Sequence, residues 1–210
     1  MSTALPQQLP FSIWTPPRWA EYVLKQPLAL LNDHAWLEKK AASNALELLN
    51  RWPELCPPEN WVQQMTAIAR DEVEHLGIVV RLLARRGGEL AKSHSSPYAA
   101  DLRKLVRSGH GPLEVLDRLL VSALIEARSC ERFFVLAKRS DDRELAKLYH
   151  GLYASEAGHY RVFLGLAKGL PDDCGVQAGD VDVRWEELLQ REGEIVLRQP
   201  IGPTMHGGVP

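Results

Sequence analysis

The sequence predicts an all-α protein, a bundle of four long helices with one long crossover and extra helices near both ends. Three observations carry that expectation. Apolar residues recur at alternating three- and four-residue steps nearly throughout, and no strand-like alternation interrupts them. Pro and Gly fall between these stretches. The long stretches are joined first to second and third to fourth by short turns, whereas residues 87–112 separate the second from the third.

Each element has a local reason. A Pro-rich lead-in (1–17) passes into a short helix at about 18–25. Pro27, with φ already set for a first helical turn, opens a long helix to about residue 52, stopped by RWPELCPPEN. The second long helix is expected over about 59–86, ended by Gly87-Gly88, which tolerate the left-handed turn after a helix. The crossover carries one short helix, about 98–107, before Gly111-Pro112. A third long helix covers about 113–138. Asp141-Asp142 caps a fourth, ending near Gly169-Leu170-Pro171. A last helix, about 183–197, precedes the tail IGPTMHGGVP (within 199–210), for which no fold is expected. The length suits one domain spanning 1–210. The connectivity is that of a ferritin-like bundle.

Composition excludes several classes. With 45% hydrophobic and 25% charged residues the chain is ordinary globular material. A net charge of −2 excludes gripping nucleic acid by bulk positive charge, so any such role needs a local patch. Cys56, Cys130 and Cys174 are far apart and form no CxxC pair, which argues against a disulfide framework, a zinc ribbon or a rubredoxin-type iron site. The start lacks a basic run followed by an apolar one, and no stretch reaches eighteen apolar residues. A soluble, cytoplasmic protein without membrane contact is expected.

The inward stripes hold the chemistry. They read Leu31, Ala35, Glu38, Ala42, Ala45; Met65, Ile68, Glu72, His75, Val79, Leu82; Leu119, Ser122, Glu126, Ser129, Phe133; and Leu152, Glu156, His159, Phe163. Each is apolar or small except for a carboxylate near its middle, and two add a histidine three residues later. Four carboxylates buried around one core would repel one another, and each would be costly to desolvate. Two divalent metal ions remove that difficulty. One Glu from each of two helices and one Glu-x-x-His from each of two others is the ligand inventory of di-iron and di-manganese carboxylate proteins. Shifting the register to expose these residues would also expose Ile68, Val79 and Leu82, which the hydrophobic effect opposes.

Supporting positions are softer. Asp71 and Ser155 immediately precede Glu72 and Glu156, placed to bond a ligand histidine's free nitrogen, with Asp71 the better candidate. His34, one turn before Glu38, reads as a packed histidine bordering the site; Tyr149, Tyr153 and Tyr160 read mainly as packing. Charge is uneven. Arg81, Arg85, Arg86, Lys92, Arg103, Lys104 and Arg107 face only Glu89 and Asp101 between residues 81 and 107, a stretch able to hold phosphates or simply a solvated crossover.

Four segments resemble one family. LLNDHAWLEKKAASNALELL, IARDEVEHLGIVVRLLARRG, LLVSALIEARSCERFFVLA and YHGLYASEAGHYRVFLGLA are similar to those of the tRNA 2-methylthio-N6-isopentenyladenosine hydroxylases, the MiaE family, in order and spacing. The Glu and Glu-x-x-His motifs are shared across ferritin-like proteins, whereas DHAxLEKKAA and EARSCERF point to this family. The resemblance implies a non-haem di-iron monooxygenase hydroxylating the isopentenyl group of the modified adenosine beside the anticodon. It would use O2 and electrons from a reductase. Glu38, Glu72, His75, Glu126, Glu156 and His159 become its ligands for two irons, and Arg81, Arg85, Arg86, Arg103, Lys104 and Arg107 its candidate tRNA contacts. Ferritin- or bacterioferritin-like iron storage, di-manganese catalase chemistry and a purely structural bundle are the alternatives.

Overall fold

The computed structural model describes residues 9–170 and 176–210. Helices α1 (Pro17–Val23), α2 (Pro27–Leu49), α3 (Glu59–Arg85), α4 (Pro97–Arg103), α5 (Pro112–Arg139), α6 (Arg143–Lys168) and α7 (Ala178–Leu197) follow in order. Among the described residues no strand forms, only a single bridge between Ile201 and Gly208.

Local chemistry sets the boundaries. Pro17, Pro27, Pro97 and Pro112 each begin a helix, where a missing N–H costs nothing. The Asp142 carboxylate accepts from the Glu144 and Leu145 amides at 2.9 and 3.2 Å, capping α6. Gly87 takes φ 77° after α3. The Gly88 amide then reaches Leu83 O and the Gly87 amide Ala84 O, both at 3.0 Å, closing a Schellman turn. Helix α2 stops three residues before the expected 52, α4 is shorter than the expected 98–107, and α7 starts at Ala178, before the expected 183. The fourth long helix ends at Lys168 with Gly169 as its C-cap, where the sequence placed it; Pro171 itself lies outside the described residues.

α2 packs along α3 and α5 along α6, and the two hairpins meet where α3 faces α6. On the opposite side the α2 and α5 backbones stand farther apart and are bridged by side chains, as where Asn44 donates to Ser122 Oγ at 2.9 Å. Two apolar clusters fill the bundle's ends, one around Trp61, Met65, Leu120 and Phe163, the other around Trp19, Leu31, Val79, Phe133 and Tyr149.

The tail departs from the sequence expectation. Residues 200–209 fold back over the molecule: Met205 and His206 are buried, the Met205 amide donates to Asp33 Oδ2 at 2.7 Å, and Arg132 Nη1 donates to Gly207 O at 3.2 Å. A Gly- and Pro-rich segment has no periodicity to betray such packing; its order comes from partners distant in sequence. No helix among the described residues is long and apolar enough to cross a membrane.

Candidate metal centre

Glu38 on α2, Glu72 and His75 on α3, Glu126 on α5, and Glu156 and His159 on α6 all point into the bundle and are all buried. The three-residue spacing within α3 and within α6 puts each Glu and His on one face. Ligand atoms of Glu38, Glu72, His75 and Glu156 lie within 4.8 Å of one another, and so do those of Glu72, Glu126, Glu156 and His159. Glu72 and Glu156 belong to both groups.

His75 Nδ1 stands 3.4 Å from Glu156 Oε1, 3.7 Å from Glu72 Oε2 and 3.8 Å from Glu38 Oε2. His159 Nδ1 is 2.8 Å from Glu72 Oε1. Both oxygens of Glu72, Glu156 Oε1 and the Nδ1 atoms of both histidines are buried without a hydrogen-bond partner. A native interior rarely leaves five polar atoms orphaned in one place. Ions between them would satisfy all five, so the donor set fits a dinuclear metal centre.

Electrostatics agree. Burial, together with the neighbouring carboxylates Glu156 and Glu72, raises the Glu126 carboxyl well above its usual range. Glu72 is raised for the same reasons, burial first and then Glu38. Burial would lower His75, yet the carboxylates facing it, Glu156, Glu38 and Glu72, outweigh burial and push the imidazole up to about 12. His159 rises to about 9, with burial overcome chiefly by Glu72. Metal ions would supply the positive charge that these neighbouring carboxylates need.

The surroundings are asymmetric. Asp71 Oδ2 sits 3.5 Å behind His159 Nε2, as expected from the sequence, whereas Ser155 makes no hydrogen bond to either histidine. His34 Nε2 lies 2.5 Å from Glu38 Oε1, closer than a histidine merely packed nearby, and its ring stacks on Tyr149. Burial tends to raise Glu38, but His34 holds it down at about 2.

Where α2 and α5 diverge, a pocket of about 830 Å³, open mouth included, reaches Glu38, Glu126 and Glu156. Leu37, Ala41, Val121 and Ile125 form apolar walls, and Lys40, Arg103 and Arg118 stand among its lining residues. Arg103 is exposed and has no anionic partner among the described residues. Lys40 donates to His94; burial, then repulsion from Arg103, lowers its ammonium pKa.

Of the basic residues singled out in the sequence, only Arg103 lines this pocket. Arg85 and Arg86 bind Asp142 and Glu144 at the start of α6, Lys104 binds Asp101, and Arg107 binds Asp117. Arg81 lines a separate groove between α3 and α6 that reaches His75 from the opposite side. Lys40 and Arg118 were missed because they become neighbours of Arg103 only through the gap between helices.

Burying four carboxylates around two imidazoles makes sense only around metal, and a bundle with one long crossover that does so is a ferritin-like carboxylate protein. Comparison with known proteins narrows this further. The family model described as tRNA-(MS[2]IO[6]A)-hydroxylase (MiaE) matches residues 5–207, and the chain belongs to that family. A Pseudomonas putida relative named tRNA 2-(methylsulfanyl)-N(6)-isopentenyladenosine(37) hydroxylase is 39% identical over 197 residues, covering 93% of this chain and 91% of the relative. A Salmonella typhimurium protein of the same name is 34% identical over 71% of this chain and 52% of its own length. A solved structure described as "Protein 43 with aldehyde deformylating oxygenase activity from Synechococcus" superimposes with a TM-score of 0.85 at 34% identity, covering 95% of this chain and 96% of that one.

Proposed function

We propose that this protein is a di-iron hydroxylase acting on the isopentenyl group of 2-methylthio-N6-isopentenyladenosine beside the anticodon of tRNA, with O2 as co-substrate and electrons from a reductase. The observation that carries the reading is the α2–α5 pocket, which joins basic residues to the carboxylate cluster through apolar walls. Its chemistry suits a substrate that is anionic outside and hydrocarbon at the tip.

Bound iron would supply oxygen activation; the chain supplies everything around it. Glu38, Glu72, His75, Glu126, Glu156 and His159 would hold the two irons. Asp71 accepts from the outer N–H of His159 and so fixes its tautomer, and His34 donates to Glu38. Leu37, Val121 and Ile125 keep water from the prenyl group and the reacting centre. Arg103 would receive phosphates of the anticodon loop, beside Lys40, which is held by His94, and Arg118, which is held by Glu114. Arg85, Arg86, Lys104 and Arg107 are already paired with carboxylates of the chain, and Arg81 opens on the opposite groove.

Iron storage would use the same ligands but has no need of this pocket. Aldehyde deformylation is suggested by the Synechococcus structure; an uncharged aldehyde has no need of the cations that line the pocket. The test is an anisotropy titration of the iron-loaded protein, kept free of O2, with a fluorescent anticodon stem-loop. The prenylated loop is expected to bind more tightly than the unmodified one, and Arg103→Glu to weaken both. Equal affinity for the two loops in the wild type would contradict the reading.

A further inference from the structure

Among the residues lining the α2–α5 pocket stands one neutral amide, Asn44 of α2. Its Nδ2 donates across to Ser122 Oγ on α5 at 2.9 Å. Ser122 is buried, and its hydroxyl proton is used on Arg118 O at 2.8 Å. A hydroxyl that donates to a carbonyl can only accept from the amide, which turns Nδ2, and not Oδ1, toward Ser122. Asn44 itself is half-buried. Its Oδ1 and its second N–H have no partner among the described residues.

Position along the helices gives the depth. At about 1.5 Å per residue, Asn44 stands roughly 9 Å along α2 from Glu38, and Ser122 roughly 6 Å along α5 from Glu126. All four line the pocket, and Arg118 follows one helical turn beyond Ser122, so the amide lies between a basic residue and the carboxylates. An isopentenyl group drawn out from N6 to its terminal methyl has four bonds and spans about 5 Å. With N6 at Asn44, that methyl comes within a few ångströms of the level of Glu126.

Alkylation leaves N6 one hydrogen. With the alkyl group on the N1 side, that hydrogen and N7 share an edge, a donor beside an acceptor, which an Asn amide matches with its oxygen and one N–H. The apolar walls alone would grip any hydrocarbon of suitable size; the amide adds recognition of the base that carries it.

We propose that Asn44 recognises the adenine, accepting from N6–H at Oδ1 and donating to N7, with Ser122 as the positioning residue that holds the amide in that orientation. The contact anchors the base at a fixed depth, so that the prenyl group alone reaches toward the carboxylates. The proposal rests on the substrate reading above and deepens it.

The test uses iron-loaded protein without O2, titrated with anticodon stem-loops bearing N6-isopentenyladenosine, its 7-deaza form, or the analogue with oxygen in place of N6–H. Wild type is expected to bind each analogue about tenfold less tightly than the parent. Asn44→Ala binds the three alike and keeps its preference for the prenylated loop over the unmodified one. Its iron content and helicity stay unchanged, because Asn44 is not in the carboxylate cluster. Analogue penalties that Asn44→Ala leaves in place would overturn the contact, and so would a penalty confined to one analogue. A wild type that prefers the prenylated loop yet binds all three alike would overturn the role of Asn44 alone. A wild type that binds prenylated and unmodified loops alike would overturn the substrate reading and this contact with it.

Discussion

His75 and His159 occupy matching positions, three residues after Glu72 and Glu156, but only His159 has a carboxylate behind it. An imidazole anchored through its outer N–H is a better oriented and more basic ligand. Asp71→Asn is therefore expected to weaken metal binding by about 10–100-fold with the helices intact, read by competition against a chelator. Unchanged affinity would reduce Asp71 to a surface neighbour. The six cluster residues were legible in the sequence because a carboxylate in an apolar stripe contradicts its surroundings unless something compensates it. His34 was less legible. An aromatic one turn from a ligand reads as packing, and only the 2.5 Å contact with Glu38 separates the two roles.

Among the elements, α5 carries most of what periodicity concealed. Its inward stripe was readable, but its outer face is buried too, under α1, α7 and the lead-in, with Arg128, Glu131 and Arg132 at 0–1% exposure. Arg128 forms a fork to both oxygens of Glu192 at 2.8 and 2.7 Å, and Glu131 accepts from the amide and hydroxyl of Thr15 at 2.6 and 2.7 Å. The EARSCERF string thus places a cluster residue on one face and an ion network on the other. Charged residues on the outer face of a helix read as solvated until the covering helices are known.

Asp117 on the same helix binds Arg107 and Arg184. Burial would raise its carboxyl, but the two guanidinium groups outweigh burial and hold it below the usual range. A depressed folded-state pKa contributes stability above the unfolded value, about 3.9, and that contribution is lost as pH falls through the folded value. Asp117→Asn is expected to cost about 3 kcal/mol at pH 7, leaving two partly buried cations short of a partner. The difference from wild type in urea unfolding should shrink below about pH 4. A difference constant with pH would mean that the charge contributes nothing.

At the scale of the whole molecule, two tightly packed hairpins meet along α3 and α6, while the α2 and α5 backbones are more widely spaced and bridged by side chains. The gap turns a buried cluster into a reachable one, and the crossover and the segment after α7 border it. Its existence was not legible, since the width between helices depends on side chains from four elements at once. The fold class was legible, because helix periodicity and loop lengths are local properties. The tail was not: only its contacts with Asp33, Arg132 and Tyr98 give it a shape.

The central claim is that this carboxylate cluster serves hydroxylation of a prenylated adenosine. Nucleoside mass analysis tests it most directly, after the iron-loaded protein has met isopentenylated tRNA, O2 and a chemical reductant. One added oxygen on the modified adenosine is expected with wild type, and none with Glu72→Ala, which should retain its helices and lose its iron. Unchanged nucleoside with iron confirmed in the wild type, or full activity in Glu72→Ala, would contradict the account.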